Sequence, residues 1–343
     1  MSRIPEKVAE SSFSRKLIKL GYILLYRGKV GELYEIPGKP DQLLMMRSDR
    51  LSIFDFVLPC LVQGKGEVLI ALTHFWLTQV FQDIPNHLLA WGWNVGRWKA
   101  AGWNMKDVAE LPLERILLVK RCKIWKYEMI FRAHIGGSVW KDYLKDGTAC
   151  GNILPSGLSK WQKLPRPIFT PTTKAEEGHD LPVTIQRYAE LTGFEGGRLA
   201  SMDLAIYQRA YEYAAKRGIL ILDTKFENTF DGKVADEVLT PDSSRFTTYE
   251  GLAAAIQEGR DPIFYDKEPV RIWGREVGTP WGVGLQNLDT ENEEHLAYVA
   301  ESLQVPNEVI YDTKDRYDII VAMITGKVLR KYQAEDMKIP SRS

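Results

Sequence analysis

In the run Asp223-Thr224-Lys225-Phe226-Glu227 every second residue is charged. If the run is a strand, positions i, i+2 and i+4 share a face, and that face carries Asp223, Lys225 and Glu227 together. Asp236 and Glu237 follow in the next apolar stretch. Carboxylates grouped near a lysine are what Mg2+ and a triphosphate require, the acids for the metal and the ammonium for phosphate oxygens. A buried salt-bridge cluster gives the same pattern, but the second acidic pair favours chemistry. The stretch Asp236-Glu237-Val238-Leu239-Thr240-Pro241-Asp242-Ser243-Ser244-Arg245 then crowds carboxylates, hydroxyls and a guanidinium into a turn bounded by proline. Pro-Asp-Ser-Ser can open a capped helix. The functional alternative is that Ser244 and Arg245 hold a phosphate or carboxylate while Asp236 holds metal, since arginine offers bidentate geometry for such groups.

Weaker candidates lie upstream. Gly28-Lys29-Val30-Gly31 lets backbone N–H groups approach a phosphate that Lys29 can neutralise, yet it matches neither a Walker loop nor GxGxxG and equally suits a hairpin turn. Between strands, such a loop would act as a kinase-like flap over ATP. Arg47 to Asp55 interleaves charge with apolar residues, so alternate side chains either face a cleft or form a solvated turn. Arg132 and Ser138 flank Gly136-Gly137, where bare main chain admits an anion or simply ends a strand. The histidines His74, His87, His134, His179 and His295 show no zinc spacing, and no metal other than Mg2+ is implied. Trp91, Trp93, Trp98 and Trp103 could stack a sugar or base, although tryptophans usually pack. No elbow motif supports a serine or cysteine nucleophile.

These residues need scaffolding. YILLY and QLLMM flank a Gly- and Pro-punctuated segment, which predicts short antiparallel strands in a small N-terminal β lobe. Apolar residues from Val68 to Phe81 recur at helical spacing and end near Pro85, predicting a buried helix. RILLVKRCKIW and YEMIFRAHI read as two neighbouring strands of a central sheet, and Leu154 to Pro182 as a long polar, functional connection. Leu204 to Ala214 is helical and feeds ILILDTKFE, which pairs with KVADEVL across an Asp-Gly turn. Helical patterns follow at Tyr249 to Gln257, Glu293 to Leu303 and Pro306 to Thr325, with Gly326 as the last cap.

Composition narrows the function classes. The 343 residues exceed one domain of roughly 100–200 residues. The 45 basic and 45 acidic residues cancel, leaving no electrostatic case for nucleic-acid or membrane partners. Cys60, Cys122 and Cys150 form no CxxC pair and read as free thiols. The charged N-terminus lacks an apolar signal run, and a cytoplasmic location is expected.

Taken in order, GKV, SDRLSIFD, LPCLVQGKGEVL, THFW, FRAHIGGSVW, FTPTTKAEEGHD, ILILDTKFE, ADEVLTPDSSRF and YDKEPVR resemble the SAICAR synthetase family from Gly28 to about Arg271. DEVLTPDSSR and TPTTKAEEGHD are the most specific matches. The resemblance implies an α+β fold in three parts: a kinase-like antiparallel β lobe (1–124), a larger α+β catalytic lobe with a central antiparallel sheet (125–270), and a helical C-terminal portion (271–343), with ATP between the lobes. It further implies a ligase of purine biosynthesis that turns ATP, carboxyaminoimidazole ribotide (CAIR) and L-aspartate into SAICAR, ADP and phosphate, with Mg2+, as a monomer or small homo-oligomer. Carried over residue by residue, Gly28 and Lys29 cover the ATP phosphates, Glu227 and Asp236 hold Mg2+, and Lys225 lies near the transferred phosphoryl group. Arg132, Ser138, Asp242, Ser244 and Arg245 hold the ribotide and its carboxylate. Lys267 and Arg271 are candidates for the aspartate end, and Asp49, Arg50, Asp55, Lys174 and Asp180 for the surrounding cleft.

The chain departs from the family pattern in several places. Gly31-Glu32 follow Val30 where the loop usually reads GKVRD, FRAHIGGS replaces VRGYLAGS with His134 in place of a tyrosine, and DTKFEFG becomes DTKFENTF. Trp91 to Trp103 and Gly274 to Glu294 look like additions. Rival readings are a related carboxylate-amine ligase with another substrate, a small-molecule phosphotransferase, and a silent nucleotide or sugar binder.

Overall fold

A computed structural model describes residues 4–174 and 180–340. The chain forms two compact units, one of Met1–Phe75, His87–Cys122 and Lys267–Ser343, the other of Trp76–Asn86 and Lys123–Asp266.

The first unit is built on a five-stranded antiparallel sheet ordered Ile23–Arg27, Gly31–Glu35, Gln42–Arg47, Ile116–Lys120, Leu88–Trp91. Its apolar face packs Tyr34, Leu44, Met46, Ile116 and Leu118 against Leu17, Trp98 and Trp103. The indole N–H of Trp98 donates to the Gly92 carbonyl at 2.9 Å and that of Trp103 to Gln42 Oε1 at 2.9 Å, so the tryptophan-rich stretch is core, with its polar atoms satisfied. A second hairpin, Arg50–Ile53 with Phe56–Leu61, turns at Phe54 and Asp55, whose φ of 47° and 66° are what a two-residue hairpin loop demands. Leu51, Phe56 and Leu58 pack with Val270, Leu285 and Val299 of the C-terminal segment. That segment contains the helices Glu268–Glu276, Glu293–Ala297, Asn307–Thr325 and Leu329–Glu335, and Gly326 caps the third in the left-handed region at φ 74°. The Gly274 to Glu294 stretch, which the family pattern leaves unexplained, inserts fully buried Leu285 into this core.

The second unit holds most of the candidate residues, with Arg132, Lys225, Glu227, Ser244 and Arg245 on its sheet. Its strands run Lys163–Phe169, Tyr127–His134, Ile219–Asn228, Val234–Ala235, with Thr172–Thr173 added to the second and Ser244–Thr248 to the third, all antiparallel. The helix Ile185–Ala215, kinked at Gly193, packs against it. From that helix, fully buried Tyr207 donates its hydroxyl to the Ile221 carbonyl at 2.7 Å and accepts from the Ala133 N–H at 3.0 Å. One phenol thus ties two strands to the helix.

Four expectations are corrected. RILLVKRCKIW and YEMIFRAHI are not neighbours: Ile116–Lys120 pairs with Gln42–Arg47 and Leu88–Trp91, whereas Tyr127–His134 pairs with Lys163–Phe169 and Ile219–Asn228. Each strand finds partners distant in sequence, a choice that local composition does not encode. The stretch 154–182 is no plain connection, because Lys163–Phe169 is a sheet strand despite two prolines. KVADEVL keeps only Val234–Ala235 in the ladder, since Asp236 turns out at φ 59° and Leu239 at φ 51°. The buried helix expected up to Phe81 is α-helical over Lys65–Phe75 and continues as a π-helix over Trp76–Val80.

A polar pair interrupts the second unit's core. Asp203 on the long helix and Asn228 at the end of the long strand are both fully buried, and Asn228 Nδ2 donates to Asp203 Oδ2. Among the described residues, Asp203 Oδ1 and Asn228 Oδ1 find no partner. Burial pushes the Asp203 carboxyl up to about 8, against about 3.8 when solvated. The folded state therefore keeps a proton that the unfolded chain releases, and this group costs stability increasingly as pH rises from about 4 to about 8, by up to about 1.4 kcal/mol per pH unit. Asp203→Asn, neutral at every pH, is expected to flatten that part of the stability profile in urea unfolding at pH 5 and pH 8; an unchanged slope would show that Asp203 is ionised in the fold.

Candidate functional site

Alternation along Ile219–Asn228 sets Asp223, Lys225 and Glu227 on one face, and the flanking strands bring their partners into register. Asp223 lies opposite Arg132 on one neighbour and opposite Arg245 on the other. Its Oδ2 accepts from Arg132 Nη1 at 2.5 Å and from Arg245 Nη1 at 2.5 Å, so one buried carboxylate serves two guanidiniums. Arg132 also donates through Nε to Thr170 Oγ1 at 3.1 Å. The cluster carries one positive charge more than its acid neutralises, which suits an anionic ligand. Beside it, the helix Ser138–Asp146 begins after Gly137, with no side-chain cap on its first turn. A Cβ on Gly137 would come within 3.1 Å of Arg245 Nη1, so the guanidinium sits directly against the backbone that enters the helix.

Further along the strand the charge balance reverses. Lys225 Nζ pairs with Glu128 at 2.5 Å, and Glu227 pairs with Lys174. Burial alone would lower the Lys225 ammonium, but Glu128, Glu227 and Glu237 outweigh it and hold its pKa above the ordinary lysine value. The Glu227 carboxyl is raised, first by burial and then by Asp236, with Lys174 and Lys225 opposing. Glu227 and Asp236 thus lie close enough for their carboxylates to repel. Mg2+ typically takes one or two carboxylates and completes its shell with water and phosphate oxygens, so this pair fits it. Among the described residues, no group of three or more His, Cys, Asp or Glu could hold a metal without such outside ligands.

The segment after Asp236 is braced from within. Trp76 Nε1 donates to the Leu239 carbonyl at 3.1 Å, Thr240 Oγ1 to Glu237 Oε2 at 2.9 Å, and the Lys225 N–H to the Ser243 carbonyl at 3.0 Å. No helix starts at Pro241; a turn leads into Ser244–Thr248. Ser244 Oγ is 2.7 Å from Thr224 Oγ1 and buried, while Asp242 is half-buried on the turn. Asp180 is exposed, and His179 of the TPTTKAEEGHD motif lies outside the described residues.

The remaining candidates belong to the first unit. Gly28–Gly31 is a tight turn closed by the Gly28 N–H on the Gly31 carbonyl at 2.8 Å, and Lys29 pairs with Asp55. Arg50 is fully buried; it donates to the carbonyls of Lys29 at 3.1 Å and Gly28 at 3.0 Å and to Glu32 at 2.7 Å, and so holds the turn from behind. Asp49 accepts from Arg115 at 2.6 Å and from the Gly66 N–H at 3.0 Å. Lys267 precedes the helix Glu268–Glu276, in which Arg271 and Glu268 form an ion pair at 3.4 Å. Sequence reasoning passed over Glu128, the partner of Lys225, although its alternation with Ile130, Arg132 and His134 in YEMIFRAHI could have marked it.

An antiparallel sheet that lays carboxylates beside a lysine at one end and two arginines on one acid at the other is equipment for handling anionic, phosphorylated substrates. Residues 24–288 match the SAICAR synthetase family model. Enzymes named phosphoribosylaminoimidazole-succinocarboxamide synthase from Desulfotalea psychrophila and Maridesulfovibrio salexigens are 38% and 37% identical, each over 89% of this chain and 95% of their own. The SAICAR synthase of Saccharomyces cerevisiae solved in complex with SAICAR is 30% identical with a TM-score of 0.68, covering 90% of this chain and 96% of its own. A SAICAR synthetase in complex with ADP, 19% identical, shares the fold at a TM-score of 0.58 over 88% of this chain and 98% of its own. The chain belongs to the SAICAR synthetase family.

The two kinds of ion pair should respond differently to substitution. Arg132→Leu leaves a buried carboxylate short of a partner and is expected to destabilise the fold by about 3 kcal/mol or more. Lys29→Met breaks a pair whose side chains are 37% and 46% exposed and is expected to change stability by less than about 1 kcal/mol. Urea unfolding of both variants checks the contrast; equal losses would contradict the burial argument.

Proposed function

We propose that this protein is an ATP-dependent ligase that condenses CAIR with L-aspartate to give SAICAR, ADP and phosphate. The observation that carries the reading is the single strand face on which Asp223 holds two arginines while Lys225 and Glu227 stand among further carboxylates. The names and coverage of the relatives, and the SAICAR bound in the yeast structure, support the same substrate.

A carboxylate is a poor electrophile because its oxygen is a poor leaving group. Attack of the CAIR carboxylate oxygen on the γ-phosphorus of ATP breaks the bond to ADP and forms an acyl phosphate. The aspartate amine then adds to the acyl carbon, the amide forms, phosphate leaves with the carboxylate oxygen, and the amine loses its proton to solvent. Neither step needs a covalent enzyme nucleophile; both need anions neutralised and aligned. Lys225, kept charged by its acidic neighbours, faces the transferred phosphoryl group. Arg132, Arg245, Ser138 and Ser244 hold the ribotide, with Asp242 at the edge of that site. Glu227 and Asp236 are the residues that would hold Mg2+, which when bound neutralises triphosphate charge. Gly28 and Lys29 cover ATP, with Arg50 positioning their turn and Asp55 paired to Lys29, and Asp49 lies in the surrounding cleft. Lys267 and Arg271 receive the carboxylates of aspartate, and Lys174 and Asp180 complete the polar surroundings.

Product analysis by mass tests this. With ATP, Mg2+ and CAIR, the protein is expected to release ADP and form SAICAR only when L-aspartate is present, and Asp236→Asn is expected to lower turnover at least about a hundredfold without loss of fold. ADP release that ignores aspartate would identify a phosphotransferase, and a near-normal Asp236→Asn variant would remove the metal role.

A further inference from the structure

Trp161 has a backbone that its side chain should disfavour: its φ of 65° lies in the left-handed region, which bulky residues rarely enter. Such conformations persist only where the surroundings over-determine them, and they cluster at working sites. The surroundings here are specific. The Trp161 N–H donates to the Ile135 carbonyl at 2.6 Å, its carbonyl accepts from His134 Nδ1 at 2.8 Å, and its indole Nε1 donates to Asp261 Oδ1 at 2.7 Å. Phe264 meets the ring edge-on at 5.0 Å. A Cβ on Gly136 would lie 2.0 Å from the indole, so only glycine admits the ring there.

His134 gives this arrangement its second anchor. Nδ1 holds the Trp161 carbonyl, and Nε2 accepts from the Tyr211 hydroxyl at 3.1 Å. Burial pushes the imidazole down to about 4, so it stays neutral and keeps one donor and one acceptor. The tyrosine that the family pattern has at this position carries donor and acceptor on one oxygen, whereas the imidazole carries them on two separate ring nitrogens that face the Trp161 carbonyl and the Tyr211 hydroxyl. The departure at His134 and the tryptophan at 161 therefore form one device.

That device faces Arg245. The guanidinium lies over the Trp161 ring at 5.9 Å, with Lys160 over the same ring at 5.6 Å. Asp223 and the Gly137 backbone bound Arg245 on its other sides. An aromatic ring set against a guanidinium restricts the swing of its plane while costing the cation none of its charge.

We propose that Trp161, anchored by His134 and Asp261, is a positioning residue that orients the Arg245 guanidinium toward the phosphate or carboxylate of the ribotide. The inference rests on the reading of Arg245 as a ribotide contact.

Steady-state kinetics of Trp161→Leu, Trp161→Phe, Arg245→Gln and the Trp161→Leu/Arg245→Gln double variant separate the two claims. Trp161→Leu is expected to raise KM for CAIR about tenfold and leave KM for ATP within about twofold, with Trp161→Phe restoring most of the loss. In the Arg245→Gln background the same leucine substitution is expected to add less than about twofold, because the group it orients is gone. If Arg245→Gln raises KM for CAIR but Trp161→Leu does not, or if the two effects multiply, the positioning role is overturned and the reading of Arg245 stands. An unchanged KM for CAIR in Arg245→Gln itself would overturn that reading, and the inference with it. Should the leucine variant fail to fold, 19F NMR of the 5-fluorotryptophan-labelled full chain decides: the signal lost in Trp161→Phe is expected to move on adding SAICAR and not to move in Arg245→Gln. A signal that stays put in the unsubstituted chain would overturn the proposal.

Discussion

The site of the second unit depends on one carboxylate. Asp223 is nearly buried, and both of its neighbours across the sheet are arginines whose Nη1 atoms converge on the same oxygen. Two guanidiniums brought this close repel, and burial penalises Arg132. The acid makes their proximity tolerable, and the three-strand register makes the acid unavoidable. A slip of one residue in either ladder would turn Arg132 or Arg245 to the opposite face of the sheet. The hydroxyl of Tyr207, tied to Ile221 and Ala133, holds the same two strands to the long helix and so fixes the register from beneath.

Four residues along the strand the problem is inverted. Around Lys225 the acids outnumber the cations, and Glu227 feels both burial and Asp236. One face thus presents an excess of positive charge at Asp223 and of negative charge at Glu227. Under the proposed assignment a substrate anion and a cation-bound triphosphate would meet these opposite environments side by side, and a strand with a period of two residues sets both within one element.

Much of this was legible in the sequence because the period of two is local. The alternation in DTKFE, the Asp-Gly hairpin and the DEVLTPDSSR turn all sit where their residue types indicate. What escaped was non-local. Nothing in RILLVKRCKIW says that it pairs with QLLMM rather than with the strand that follows it, and the prolines of KLPRPIF hid an edge strand. Glu128 was missed because a lone acid in an apolar run reads as a solvated position until Lys225 is placed opposite. Arg50 is a cleft candidate by family resemblance, whereas its burial and its bonds to the Gly28 and Lys29 carbonyls make it a support of the loop. The tryptophans at 98 and 103 pack the core, as their residue type favours, while Trp161, which drew no attention in the sequence, stands against the arginine cluster.

Calorimetric titration of SAICAR into the Asp223→Asn variant tests the central claim most directly, because charge and geometry then pull in opposite directions. Removing the acid adds one positive charge to the site, which by charge count alone should tighten binding of an anion. If Asp223 works by holding Arg132 and Arg245 in place, affinity is instead expected to fall about tenfold or more, in a variant that is less stable by about 3 kcal/mol or more but still folded by circular dichroism at the titration temperature. Binding as tight as in the unsubstituted protein, or tighter, would contradict the account.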